Sequence, residues 1–206
     1  MGTKECKLFD TKMKVVGLTG GIGSGKSTIR EWFSSQGVPC FDSDTVGKEL
    51  LNSSLKKKII QDFGSHFYSK EGKLDRARLA VYVFSDSEAL KKLNSIVHPA
   101  VAGSFEAFKR KYSTAPFVIK EAAILFESGG YKQCDEVILV CAPLALRIQR
   151  LIDRDQCTES QLRARIQHQW SDDKKEKLSD YVIQNEYLDV AKEEAKKILK
   201  LLKNKG

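Results

Sequence analysis

Lys14-Val15-Val16-Gly17-Leu18-Thr19-Gly20-Gly21-Ile22-Gly23-Ser24-Gly25-Lys26-Ser27-Thr28 is the stretch on which the fold turns. Its first five residues read as a short buried strand. Residues 20–27 then carry a glycine, four further residues, a second glycine, a lysine and a serine, and a helix is expected over 26–36 with Gly37 as its stop. A loop of this kind between a strand and a helix suits a phosphate. Its glycines let the backbone curl until successive N–H groups face an anion, and the helix amino end adds partial positive charge. Gly21, Ile22, Gly23, Ser24 and Gly25 supply that backbone. Lys26 is expected to bridge the β- and γ-phosphates of a nucleotide, Ser27 to hold Mg²⁺ through its hydroxyl, and Thr28 to reach the α-phosphate. The loop by itself does not separate kinases from ATPases, GTPases or nucleotide-dependent switches.

Outward from this loop the chain alternates short apolar runs with helical patterns. Residues 38–41 read as a second strand ending in Asp42-Ser43-Asp44. Residues 45–112 read as mostly helical, with breaks at Asn52-Ser53-Ser54, near Gly64, near Gly72 and at His98-Pro99. Strands are expected within 117–125, over 137–141 and over 181–183. Helices are expected over 143–154, over 161–178 as one long polar element, and over 188–203 as an amphipathic one. Such alternation predicts an α/β fold whose parallel sheet is covered by helices on both faces. The helical region 45–112 reads as an insertion between sheet strands, where a substrate-binding part could form.

Composition narrows the partners. The chain has 206 residues, 41% of them hydrophobic, enough for one domain with insertions. Charged residues make up 30%, and no apolar run is long enough to span a bilayer, so no membrane partner is expected. Residues 1–12 lack the apolar core of a secretory signal and read as an N-terminal extension, which predicts a cytoplasmic location. The five cysteines are odd in number and form no Cys-x-x-Cys pair, so reduced thiols are expected rather than a disulfide framework or a zinc site. The net charge of +8 suits a polyanionic ligand. Much of the excess, at Lys192, Lys196, Lys197, Lys200, Lys203 and Lys205, reads as the solvated face of the last helix, and no nucleic-acid partner is expected.

Two further groups carry chemistry. Asp42 and Asp44 lie just past the second strand, two apart, so that both could face the loop if the strand continued. One of them could then orient an acceptor hydroxyl. A capping role at the next helix, expected to start near Thr45, is the equal alternative. Arg147, Arg150 and Arg154 recur at helical spacing and would form a guanidinium stripe suited to a transferring phosphoryl group, with Asp155 a possible ion-pair partner. A solvated face is the alternative.

From residue 13 to about residue 185 the sequence resembles the dephospho-coenzyme A kinase family. Residues 16–28 look like that family's opening, and Asp42-Ser43-Asp44 matches its Asp-x-Asp. Gly72-Lys73-Leu74-Asp75-Arg76, Leu93-Asn94-Ser95-Ile96-Val97-His98-Pro99 and Leu125-Phe126-Glu127 resemble later motifs, as do residues 150–155, Thr158, Arg165-Ile166, Gln169, Lys175 and Asp180. Ala123 and Ile124 replace a proline and a leucine of the family pattern, Ser179 replaces an alanine, and Tyr187 stands where its Asn-x-Gly has glycine. The resemblance implies a P-loop NTPase-type three-layer fold with a five-stranded parallel sheet. It implies a single kinase domain over 13–206, with core segments 13–44, 113–146 and 180–206, a substrate-binding subdomain over about 45–112 and a lid over about 147–179. It implies transfer of the γ-phosphate of ATP, with Mg²⁺, to the 3′-hydroxyl of dephospho-coenzyme A, the last step of coenzyme A biosynthesis. In that reading Asp44 activates the acceptor, Asp42 places substrate or metal, and Lys26 and Arg150 act on the phosphoryl group with support from Arg147 and Arg154. Asn185 belongs to an adenine-contacting loop. Arg76 is a candidate for acceptor binding, with a structural ion pair the alternative. His98 joins it as a substrate-side residue, although packing explains a histidine before proline better than catalysis does. Glu121 is a candidate to reach Mg²⁺ through water.

The nearest rival is another small P-loop kinase acting on a nucleotide or metabolite. A nucleotide-dependent binding or switch protein is the rival from another class, although the chain carries no Asn-Lys-x-Asp guanine motif.

Overall fold

A computed structural model describes residues 13–155, 162, 166, 167 and 169–205. The extension 1–12, Thr158, Gln161 and Arg165 of the expected lid, Cys6, Cys157 and the side chain of Asp155 lie outside the described residues. The chain divides into two compact units, Met1–Cys40 with Tyr112–Gly206, and Phe41–Lys111.

The first unit carries β1 (Lys14–Gly20), β3 (Phe117–Glu121), β4 (Glu136–Cys141) and β5 (Tyr181–Gln184) of a sheet whose strand order is β2-β3-β1-β4-β5, β2 being Cys40–Asp42. β1 runs parallel to both β3 and β4, and β4 parallel to β5. The central strands β1, β3 and β4 are almost wholly buried, as their continuous apolar runs require when helices cover both faces. On one face Val16, Leu18, Phe117, Ile119, Ile138, Val140 and Ile183 pack against α1 (Lys26–Ser35), through Ile29 and Phe33, and against the last helix, Leu188–Asn204, through Ala191, Ala195, Ile198, Leu199 and Leu202. On the other, Leu125, Phe126 and Val137 pack with Tyr131, Cys134 and Trp170. Gly17 on β1 makes room for that second layer, since a Cβ there would meet Leu125 at 2.6 Å.

Two aspartates finish the ladder where a strand runs out of partners. Asp135 Oδ2 accepts from Val15 N at 2.7 Å, and Asp180 Oδ2 accepts from Val137 N at 2.7 Å. Without them these N–H groups would be left unpaired at a part-buried edge.

The second unit is helical. It holds α2 (Ser43–Asn52), α3 (Lys56–Phe63), α4 (Arg76–Ser85) and α5 (Ser87–Lys111). Phe67, Leu74, Leu79, Val83 and Ala89 form its core, flanked by Leu51, Phe63 and Tyr68. The expected break at His98-Pro99 does not occur, and α5 runs through it. Pro99 cannot donate to the carbonyl of Ser95, but Val97 and Val101, one on each side of it, both pack on Gly47 of α2. Tertiary contact spanning the proline holds the two halves in one helix.

The single helix expected over 161–178 is also corrected. Residues 169–171 are not helical, and α7 (Asp172–Glu176) starts afresh with Ser171 as its cap, its hydroxyl accepting from Lys174 N at 3.4 Å. The interruption follows from competing bonds. Trp170 N donates to Glu127 Oε1 at 2.8 Å, and the Gln169 side chain spans other loops. α6 (Leu144–Asp155) precedes this segment, and α8 (Leu188–Asn204) is the closing helix already described. The second strand lies at 40–42 rather than 38–41, and the third occupies Phe117–Glu121, inside the run expected to hold it.

Lys175 is fully buried, and its ammonium lies 3.0 Å from Glu127 Oε1. Removing one partner strands a buried charge, whereas removing both leaves an apolar contact. Glu127→Leu is therefore expected to lower stability by about 3–5 kcal/mol in urea denaturation, with Glu127→Leu/Lys175→Met recovering most of it. An unchanged urea midpoint in the single variant would contradict this.

Candidate functional site

Between β1 and α1 the chain turns through residues 21–25. Gly23 (φ 81°) and Gly25 (φ 87°) adopt left-handed backbone that only glycine holds without strain. Gly25 is the residue preceding α1, and no side chain caps the helix there. The first-turn N–H groups are thus left to the loop and to whatever anion it holds. Lys26 is buried, and its Nζ turns back to donate to Gly21 O at 3.3 Å. Ser27 and Thr28 stand exposed on the first turn of α1.

The elements around this loop come from distant parts of the sequence. Arg147 on α6 is 5% exposed. Its Nε donates to Ile22 O at 2.9 Å, and its NH1 pairs with Asp172 Oδ2 at 2.9 Å. A Cβ on Gly21 would collide with its guanidinium. Asn185, just past β5, is 3% exposed, and its Nδ2 donates to Ser24 O at 2.7 Å. A Cβ on Gly25 would collide with that amide. Arg150 NH2 donates to the carbonyls of Asn185, at 2.9 Å, and Glu186, at 3.3 Å. Its NH1 is buried with no hydrogen-bond partner among the described residues, and lies 3.9 Å from where a Cβ on Gly25 would stand. A buried guanidinium nitrogen left open beside a glycine cradle and a buried ammonium is the arrangement that a polyphosphate would complete. The residues present therefore fit a nucleotide.

The three arginines do not form a uniform stripe. Arg147 is buried, Arg150 half-buried and Arg154 exposed, although the three recur at helical spacing. Glu121 forms an ion pair with Arg30 of α1 at 2.6 Å and is 6% exposed, so its carboxylate is engaged by a cation of its own sheet–helix layer. The burial of Cys40 itself pushes its thiol pKa up to about 12, with Arg30 opposing and Glu121 reinforcing the rise. Tyr187 is 68% exposed at the head of α8 with φ −114°, ordinary extended backbone, so a side chain in place of the family's glycine brings no backbone strain here.

The remaining predicted residues lie in the second unit. The strand geometry assumed for Asp42 and Asp44 is corrected: β2 ends at Asp42, and α2 begins at Ser43. Asp42 is the helix cap, accepting from Thr45 N and from Thr45 Oγ1, each at 2.8 Å. Asp44 is exposed in the first turn of α2. The two carboxylates thus hold different kinds of position. Arg76 opens α4 behind its cap Asp75, and His98 is exposed midway along α5. Sequence reasoning gave Gln169 no role and passed over Asp172. The Ser171-Asp172-Asp173 run, a helix-start signal, was the clue available for the second.

Residues 14–189 match the family model described as dephospho-CoA kinase. A dephospho-CoA kinase of Fusobacterium nucleatum is 36% identical over 172 residues, 83% of this chain and 89% of that protein. One of Salinibacter ruber is 37% identical over 178 residues, 84% and 89% of the two chains. The crystal structure of a Thermus thermophilus protein is similar with a TM-score of 0.84 at 32% identity, over 91% of this chain and 96% of that one. With the parallel sheet, the phosphate loop and its flanking arginines all falling inside the matched span, the chain belongs to the dephospho-CoA kinase family.

Proposed function

We propose that this protein transfers the γ-phosphate of ATP to the 3′-hydroxyl of dephospho-coenzyme A, giving coenzyme A and ADP, in the last step of coenzyme A biosynthesis. The observation that carries the proposal is the cradle itself: buried Lys26, the uncapped amino end of α1 and the open NH1 of Arg150 gather positive charge around one glycine loop. The family match supplies the acceptor.

The roles follow from chemistry. Gly21, Ile22, Gly23, Ser24 and Gly25 curl around the phosphates, Lys26 meets the β- and γ-phosphates, and Thr28 meets the α-phosphate. Ser27 is the hydroxyl offered to Mg²⁺, which when bound neutralises charge on the phosphate oxygens. Asp44, exposed on the first turn of α2, is assigned to orient and deprotonate the acceptor hydroxyl. Asp42, Arg76 and His98 are assigned to the acceptor side. Arg150 is assigned to the charge that spreads over the transferring group. Asn185 holds the nucleotide side of the loop, and Arg154 is a peripheral contributor. Residues 147–179 are assigned as the cover that keeps water from taking the phosphoryl group. No helix among the described residues is long and apolar enough to cross a membrane, and the site of action proposed is the cytoplasm.

The direct test is ADP release from Mg-ATP with dephospho-coenzyme A, AMP, CMP or shikimate offered separately and the product weighed by mass spectrometry. Phosphate gained by dephospho-coenzyme A alone is expected, and chelation of the metal should abolish it. Transfer only to another acceptor would overturn the acceptor and keep the kinase. Binding of nucleotide without transfer to any acceptor would favour the switch reading.

Arg150→Ala is expected to lower kcat by about a hundred- to a thousandfold while ATP affinity falls far less. Equal turnover in variant and wild type would remove Arg150 from the reaction. For Asp44→Asn, loss of the base predicts a fall in kcat of about a hundredfold or more with the fold unchanged. Turnover near wild type would return Asp44 to a purely structural place on α2.

A further inference from the structure

Ile22 is held at three points. Its N–H donates to Gln169 Oε1 at 2.8 Å, its carbonyl accepts from Arg147 Nε at 2.9 Å, and its side chain packs on the cluster of Ile148, Leu151 and Leu162. Both polar holders are themselves anchored. Gln169 Nε2 donates to Ala123 O at 3.2 Å, so one neutral amide bridges the loop after β1 to the loop after β3. Arg147 NH1 pairs with Asp172 Oδ2 at 2.9 Å, with the arginine side chain 6% exposed.

We propose that Gln169, Arg147 and Asp172 form a positioning clasp that holds the phosphate loop curled before nucleotide arrives. Arg147 acts through the loop, not by touching phosphate. This rests on the nucleotide-site reading above and sharpens it. Gly20, Gly21, Gly23 and Gly25 make the loop one of the most freely turning segments of the chain. A loop that is competent only part of the time weakens nucleotide binding by that fraction. Fixing both polar groups of Ile22 removes much of that freedom at the centre of the turn. The partners suit the task. An amide can accept from an N–H and donate to a carbonyl at once without adding charge beside a phosphate site. Asp172 neutralises Arg147, so this guanidinium serves as a fork between backbone and carboxylate. The contrast lies one helical turn away, where Arg150 keeps a buried nitrogen open. Two arginines of one helix thus divide the work, Arg147 shaping the loop and Arg150 left for the ligand.

Calorimetric titration of ATP into the Gln169→Met variant tests the clasp, alongside steady-state kinetics. ATP Kd and ATP KM are expected to rise together by roughly tenfold, with the KM for dephospho-coenzyme A within about twofold of wild type. An ATP Kd within about twofold of wild type overturns the clasp, as does a fall in turnover with both KM values unchanged, the mark of a merely structural loss. Asp172→Asn, at a side chain 28% exposed, carries the test if Gln169→Met does not fold. Its expected rise in ATP Kd is about threefold, and an unchanged value overturns the proposal. Wild-type protein that binds ATP yet leaves dephospho-coenzyme A untouched would defeat the acceptor assignment alone, since the affinity comparison needs no acceptor.

Discussion

A chain that must turn from β1 into α1 through glycines, with a lysine ammonium buried at the turn and no side chain on the helix cap, cannot hold that shape by local preference. The turn between Gly20 and Lys26 is anchored from α6 by Arg147, from beyond β5 by Asn185 and from the 169–172 segment by Gln169. Each of these contacts closes on backbone of the loop, and the approaches of Arg147 and Asn185 require glycine at positions 21 and 25. The sheet supplies the frame: β4 stands beside β1 and β5 beside β4, all parallel, so the segments that follow them leave the sheet at the same end as the loop.

The same economy governs the buried charges of this unit. Arg30 with Glu121, Arg147 with Asp172 and Lys175 with Glu127 each join elements far apart in sequence. Buried pairs add little net stability over apolar packing, but a lone member is costly. Their effect is to specify which segments meet. The Glu127–Lys175 pair and the Glu127–Trp170 bond fix the stretch before α7 against the loop after β3, and that placement puts Gln169 within reach of Ile22. The packing that interrupts the polar helix is therefore the packing that supports the phosphate loop.

In the helical unit, local signals and tertiary contacts disagree more often. Asp75 and Asp42 cap their helices as short polar residues before a helical run should. Pro99 should end α5 and does not, because the valines on either side of it share Gly47 as a packing partner. A proline costs a hydrogen bond wherever it sits in a helix. Whether the helix stops there depends on what the two halves touch.

The order of strands and helices, the phosphate loop and the candidacy of Lys26, Ser27 and Arg150 were all legible in the sequence, because they rest on periodicity, glycine spacing and charge at fixed offsets along one chain. The placing of Asp42 as a cap and Asp44 on the following helix turn was not, since one residue of difference in where a strand ends changes which way both carboxylates point. Spacing alone makes Arg147 and Arg150 equals; the resemblance ranked Arg150 first, and the packing of α6 gives the physical difference, burying Arg147 against Ile22 and Asp172 while leaving a nitrogen of Arg150 open. Gln169 gained its place in the same way, through contacts with residues 147 and 46 positions distant in the chain. Local chemistry determined which groups this protein has to work with. The burial of each, and therefore which of them can still meet a ligand, was decided by tertiary packing, because desolvation and hydrogen-bond partnership are set by neighbours in space.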